Sequence, residues 1–221
     1  MKKKLIIAGL SLILVIGSSV TTYAQGIQIT DERNHEVITE EEFEMIIEEI
    51  FNLKNTHPEY TDEKIFELMN ERHQGVEKGI IDIWNVLTAS EKKLCIRYPF
   101  DALKVNTAKN IATSQTKAKF GLNGLGDRSD AFRHGIWNAE MTVLIGKEKA
   151  ELFATAHEDK DVTGNEADGY SKVAHRDMDL HNNEVGRAIG EKNSGASEDE
   201  MADIIYQNIY SAETQFIWLH E

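Results

Sequence analysis

Three short signatures of helix starts recur along this chain: Thr39-Glu40-Glu41-Glu42, Thr88-Ala89-Ser90-Glu91 and Ser197-Glu198-Asp199-Glu200. In each, a hydroxyl residue stands three positions before a glutamate, so hydroxyl and carboxylate each satisfy an exposed backbone amide. Behind the first run Phe43, Ile46, Ile47 and Ile50, and behind the last Met201, Ile204, Ile205 and Ile209, follow at helical spacing. Thr61 is placed to cap a helix carrying Ile65, Leu68 and Met69. The segment from Val76 to Leu87 continues the pattern through Ile80, Ile81, Ile83, Trp84 and Leu87, weakened by Gly75 and Gly79. Only two prolines occur: Pro58 breaks the chain after His57, and Pro99 opens a helix over about 100–119 from its first turn. Alternating runs are almost absent. The expected fold is all-α, a single helical-bundle-like domain.

The N-terminus has its own logic. Lys2, Lys3 and Lys4 form a basic start, Leu5 to Gly17 an apolar run, and Thr22-Tyr23-Ala24 a small-residue end, the pattern of a signal peptide cleaved after Ala24. An apolar run of about 13 residues is short against the roughly 20 needed to span a bilayer, so no stable membrane span is expected after cleavage. The protein is therefore expected to be secreted, with contact to the cell envelope as one possible fate. The segments expected are the signal peptide over 1–24, a tether and acidic helix over 25–58, and a helical domain over 59–221 with its polar site at 126–187. Formal charge is −14, and −17 without Lys2, Lys3 and Lys4. Such a chain repels phosphate backbones at long range and lacks the charge signature of a nucleic-acid binder. Cys95, between Leu94 and Ile96, is the sole cysteine, which excludes an internal disulfide and reads as a buried thiol.

Chemistry concentrates in three runs: GDRSDAFRHGIWNAE (Gly126 to Glu140), AHED (Ala156 to Asp159) and HRDMDLHNNEVGR (His175 to Arg187). Ahead of them Gly121, Gly124 and Gly126 make a glycine loop. It lacks a preceding strand and a Gly-Lys-Ser/Thr ending, so it reads as a turn bringing backbone close to the site rather than a phosphate loop. Ser129 or Asp127 caps a helix running to Ile145, on which Asp130, His134 and Asn138 form one stripe beside an apolar stripe of Phe132, Ile136, Ala139 and Val143. A second helix, from Tyr170 to Ile189 with a stop at Gly190, carries His175, Asp179, Asn182 and Gly186 on one flank. His181 falls on its apolar face with Ala174, Met178, Val185, Ala188 and Ile189, and is expected to be at least partly buried. His157 and Glu158 end the short helix between them.

The motifs SDAFRHGIWNAE, AHED and MDLHNNEVGR resemble a bacterial domain family without an assigned activity, found in exported proteins and at the C-terminal ends of larger surface or toxin-like proteins. The resemblance covers roughly Leu87 to Arg187. Its recurring polar positions fall on Asp130, Arg133, His134, Asn138, His157, Glu158, Asp179, His181, Asn182, Asn183 and Arg187. Family members commonly carry alanine where this chain has Gly135, a change expected to be neutral for the site. A looser resemblance, of class only, is to all-α secreted zinc phosphodiesterases. That group uses its mature N-terminus as a metal ligand, usually tryptophan, where this chain presents Gln25.

These residues supply the ligand types of a divalent-metal site, zinc among the candidates. The HExxH motif of zinc peptidases is absent, and without a Gly-x-Ser-x-Gly turn covalent serine catalysis has no support. The expectation is a secreted hydrolase acting on an ester or phosphoester, with His134, His157, Asp179 and Asp130 as metal ligands. Glu158 or His181 is the general base, Arg133 or Arg187 the anion support, and Asn138, His175, Asn182 and Asn183 the supporting residues. A metal-free histidine–carboxylate pair would serve the same chemistry. The alternative is a non-enzymatic exported module in which the same side chains form a buried polar network.

Overall fold

The structure, a computed structural model, describes residues 29–31, 36–38, 40–74 and 83–221. The signal peptide over 1–24, the Thr39 cap and the segment with Gly75, Gly79, Ile80 and Ile81 lie outside the described residues. The domain is all-α, preceded by one short hairpin in which β1 (Ile29–Asp31) pairs antiparallel with β2 (Glu36–Ile38), Thr30 opposite Val37. The sequence pattern around Ile27 and Ile29 indicated no more than a tether there.

The helices follow in order: α1 (Glu40–Thr56), α2 (Asp62–Arg72), α3 (Ile83–Val86), α4 (Ala89–Arg97), α5 (Pro99–Phe120), α6 (Arg128–Ile145), α7 (Lys147–His157), α8 (Lys172–Lys192) and α9 (Glu198–Ile209). Their starts follow local chemistry. Thr61 accepts from the Lys64 amide, Thr88–Glu91 and Ser197–Glu200 form complete capping boxes, and Pro99 occupies the first turn of α5. At the start of α6 it is Asp127, not Ser129, that caps, accepting from the Ser129 and Asp130 amides.

Around α6 the rest of the domain is assembled: α5, α7, α8 and α9 all pack on it. From Ser129 to Thr142 nearly every residue of α6 is buried, which is what a helix surrounded on all sides requires. Phe132, Ile136 and Met141 are fully buried among the hydrophobic side chains of the core, each contributing about 1.5–3 kcal/mol of burial. α1 joins that same core through Phe43, Ile46, Ile47, Ile50 and Leu53. Cys95 is buried and unpaired with another cysteine, and burial pushes its thiol pKa upward.

The contact between α6 and α8 is a backbone contact. A Cβ on Gly186 would lie 2.2 Å from the Gly135 carbonyl oxygen, and one on Gly190 would lie 2.5 Å from that of Ala139. These glycines, one turn apart, let the two helices touch without side chains between them. Gly190 therefore does not end α8, as a local stop signal would have it; the helix continues to Lys192. Nor is Gly135 indifferent to alanine: its Cβ would stand 2.6 Å from the ring of buried Phe216, which must shift to admit it.

Phe216 belongs to a C-terminal tail folded back over α8. Asn182 on α8 grips it at both ends of one residue, donating to the Ile217 carbonyl (2.9 Å) and accepting from the Ile217 amide (3.0 Å). Farther on, the Leu219 amide donates to the Gly126 carbonyl at 2.7 Å, closing the tail onto the glycine loop.

Candidate functional site

The close approach of α6 and α8 brings their polar stripes face to face. Asp130, His134 and Asn138 from α6 meet Asp179, Asn183 and Arg187 from α8, all buried except partly exposed Asp179. A buried polar network draws its strength from mutual hydrogen bonds, and these converge on one atom, Asn183 Oδ1. The Arg187 guanidinium, which only donates, gives a hydrogen to Asn138 Oδ1 at 3.0 Å. That fixes Asn138 Nδ2 as the donor to Asn183 Oδ1, at 2.6 Å. Asn183 Oδ1 is thereby the acceptor facing His134 Nδ1 at 3.1 Å, so Nδ1 carries the hydrogen. The other ring nitrogen, Nε2, is left to face the carboxylates.

It faces two of them. Nε2 lies 3.3 Å from Asp179 Oδ1 and 3.5 Å from Asp130 Oδ1. The far oxygen of Asp130, Oδ2, accepts from the Gly126 amide (2.7 Å), while Oδ1 itself also accepts from Arg133 (2.5 Å), which donates in addition to the Gly124 carbonyl. Burial alone would lower the His134 pKa, but Asp179, Asp130 and Glu158 together raise it. A lone pair and two carboxylate oxygens cannot converge in a buried space unless a proton or a cation sits among them. Asp130, His134 and Asp179 each offer one ligand atom, all within 4.8 Å of one another. One nitrogen and two oxygens with room for further ligands is a donor set that fits a divalent cation.

His134 and Asp179 of this cluster line a cavity of about 210 Å³ between α5, α6, α7, α8 and the loop joining α7 to α8, while Asp130 is buried outside its lining. Glu158, capping the end of α7, lines the same cavity. It is buried, and its Oε1, without a hydrogen-bond partner among the described residues, lies 3.9 Å from His134 Nδ1.

His157 lines the cavity but does not join the cluster. The Trp137 indole stands edge-on to both imidazoles, with centroids 6.3 Å from His134 and 5.1 Å from His157. His157 is instead held by Glu91, whose Oε1 accepts from Nδ1 at 2.8 Å, while Lys160 donates to Nε2 at 3.1 Å. Burial and Lys160 lower the His157 pKa against the pull of Glu91, so this ring is neutral with both nitrogens engaged. Burial would raise the Glu91 carboxyl, but His157 and the Thr88 amide hold it well below the usual carboxylate range. The capping glutamate of α4 thus has a second task, 66 positions from the histidine it orients.

His175 also reaches the cavity wall, and its partner too lay beyond sequence reasoning. Its Nε2 lies 2.9 Å from Asp168 Oδ2, while the buried Nδ1 has no partner. Asp168 is shared with His220 of the tail at 3.2 Å, and His220 Nε2 also contacts the Leu125 carbonyl. Burial disfavours the Asp168 carboxylate, yet the Tyr170 amide and His175 keep its pKa lowered; the Glu221 carbonyl leads the contacts that raise that of His220. Gly126, at φ +72°, passes so close that a Cβ there would stand 2.6 Å from Asp168 and 2.9 Å from the His175 ring. The glycine loop does bring backbone to the site.

His181 is a correction. It is exposed, and its Nε2 meets the Gln215 carbonyl of the tail at 2.6 Å. The buried face of α8 is mixed, with His175, Asn182, Asn183 and Arg187 alongside Met178 and Val185, and within the apolar stripe His181 is the position that stays exposed. Asn182 likewise holds the tail rather than lining the cavity.

No curated protein and no solved structure matches the chain. A family model spans residues 92–213, which include Asp130, His134, Glu158, Asp168, His175, Asp179 and Arg187, but not Glu91 or His220. With more than half of its length matched, the chain belongs to the family described as Domain of unknown function (DUF6973).

Proposed function

We propose that this chain is an exported hydrolase that activates water against an ester or phosphoester bond, with a divalent cation held by Asp130, His134 and Asp179. The observation that carries it is the hydrogen-bond chain Arg187→Asn138→Asn183←His134, which converges on Asn183 Oδ1. It commits His134 Nδ1 to donating, and so aims Nε2 at the two carboxylates. Such fixing of one imidazole nitrogen by a hydrogen bond to the other is how ligand histidines are oriented. A bound cation would lower the pKa of water and polarise the scissile oxygen. Asp130 and Asp179 supply its counter-charge, and Arg133 braces Asp130. Glu158, with its free oxygen on the cavity, takes the proton from the attacking water. Export rests on the Lys2–Lys4 start, the apolar run and the Ala24 end.

Elemental analysis of the chain from Gln25, purified without a histidine tag or chelator, tests this first. Near-stoichiometric divalent metal, lost in Asp179→Asn, together with ester hydrolysis lost in Glu158→Gln, is the expected result. Wild-type protein that neither carries metal nor gains thermal stability from added zinc, manganese or magnesium would overturn the metal reading. A second reading, a purely structural polar network, is supported by how completely Asn138 and Arg187 are engaged. It requires His134→Ala to unfold the domain, and a folded, metal-free His134→Ala protein decides against it.

A further inference from the structure

Lysine and arginine are outnumbered 24 to 38 by aspartate and glutamate in the whole chain, yet the cavity reverses the balance. Its lining carries five cations, Lys109, Arg133, Lys160, Lys172 and Arg176, against four carboxylates. Two of those carboxylates, Asp179 and Glu158, belong to the site described above, and a third, Asp161, accepts from the Thr163 amide and hydroxyl. The cations of the outer wall lack close carboxylate partners within the cavity, Asp161 acting on Lys172 only through space. Lys172 has no carboxylate within 4 Å among the described residues. Lys160 rests on the neutral His157 ring, and Arg176 pairs only with its exposed neighbour Asp177 while its buried Nε has no hydrogen-bond partner. An exposed pair of that kind is too weak to hold the guanidinium away from a better acceptor.

The spacing is directional. Lys172, Arg176 and Asp179 lie four and three residues apart, so α8 presents cation, cation and carboxylate along one stripe leading into the cavity. We propose that this cavity binds a single phosphoryl group, with Lys172, Arg176 and Lys160 holding its outer oxygens above the Asp130–His134–Asp179 cluster. The inference rests on the hydrolase reading for what happens to that group, but not for its binding. A neutral carboxylic ester would leave these charges uncompensated, whereas a phosphoryl group answers them with several strong acceptors. The volume of about 210 Å³ is below the roughly 300–1,000 Å³ of sites for drug-sized ligands, enough for one phosphoryl group and a small substituent. The formal charge of −14 opposes a long polyanion, which would be repelled beyond the pocket mouth.

Calorimetric titration of the chain from Gln25 with inorganic phosphate, with and without added manganese, is the test. Phosphate should bind, and Lys172→Gln/Arg176→Gln should weaken it at least tenfold while circular dichroism and metal content stay unchanged. Lys160→Gln provides a separate variant should the double one fail to fold. Turnover separates this proposal from the one it rests on. Hydrolysis of para-nitrophenyl phosphate with a KM raised in the double variant supports both, with para-nitrophenyl acetate run beside it as the neutral ester. Phosphate binding without turnover of either ester sinks the hydrolase reading alone. Turnover of the acetate with no phosphate binding by folded wild type, or binding untouched in the folded variants, overturns the phosphoryl site. Sedimentation with phosphatidylcholine vesicles, weakened by the same variants, would assign the group to a lipid headgroup; phosphate binding without sedimentation assigns it to a soluble ester.

Discussion

Glu140, on α6 two residues beyond Asn138, is buried with one carboxylate oxygen lacking a hydrogen bond. Burial, joined by the negative charge of Glu198 at the start of α9, raises its pKa from 4.5 to about 7. The folded chain therefore keeps a proton on Glu140 between about pH 4.5 and 7 that the unfolded chain has already lost. Stability falls as pH rises through that window, and above it the full penalty remains. A difference of 2.5 pKa units corresponds to about 3 kcal/mol. Glu140→Gln keeps the shape and removes the charge, so wild type and variant should be about equally stable at pH 4. At pH 8.5 the variant should be favoured by about 3 kcal/mol, or about 6–12 °C in Tm for a domain of this size. Thermal unfolding followed by circular dichroism across pH 4–9 measures it, and every other titrating group cancels in the difference between the two proteins. Glu198→Gln should recover a smaller part of the gain. Parallel curves for wild type and Glu140→Gln would show that the carboxyl ionises without cost, and would refute the account of its burial.

Three further expectations concern the site. Gly186→Ala places a methyl 2.2 Å from the Gly135 carbonyl, where no side chain can yield, so it should cost more than about 3 kcal/mol and abolish metal uptake together with native packing. Arg187→Ala strips Asn138 Oδ1 of its donor in a buried site, and chemical denaturation should register a loss of about 1–3 kcal/mol together with weakened metal affinity. His181→Ala, away from the cavity, should leave metal content and turnover near wild type; a loss matching that of Glu158→Gln would place the working base on the wrong residue.

What could be read from the sequence was local. The Thr88–Glu91 and Ser197–Glu200 pairs, Pro99 and the i, i+4 stripe of Asp130, His134 and Asn138 act within one turn or two, and they are where that reading put them. His181 was misplaced because helical periodicity assigns a whole stripe to the core, whereas α8 buries a mixed face, Met178 and Val185 together with His175, Asn182, Asn183 and Arg187. Gly190 looked like a terminator because a glycine's helix-ending signal and its close-packing use are indistinguishable without the neighbouring helix. Glu91, Asp168 and His220 were missed as partners for a simpler reason. Their histidines stand 66, 7 and, through Asp168, 45 positions away, and two of those pairings close only when the chain has folded. Asp168 alone left a trace, as an acidic residue in the turn just before the Ser171 cap.

The bare contact of Gly186 and Gly190 with the backbone of α6 also sets the tempo of the site. Exposed side chains hop among rotamers in picoseconds to nanoseconds, and each hop jostles what lies nearby. At the two glycine contacts there is no rotamer to hop. The spacing of the helix backbones that carry His134 and Asp179 therefore changes mainly when two whole helices move against each other, a slower and collective event. On heating, the constellation should persist nearly unblurred and then vanish in a single step with the α6–α8 pair.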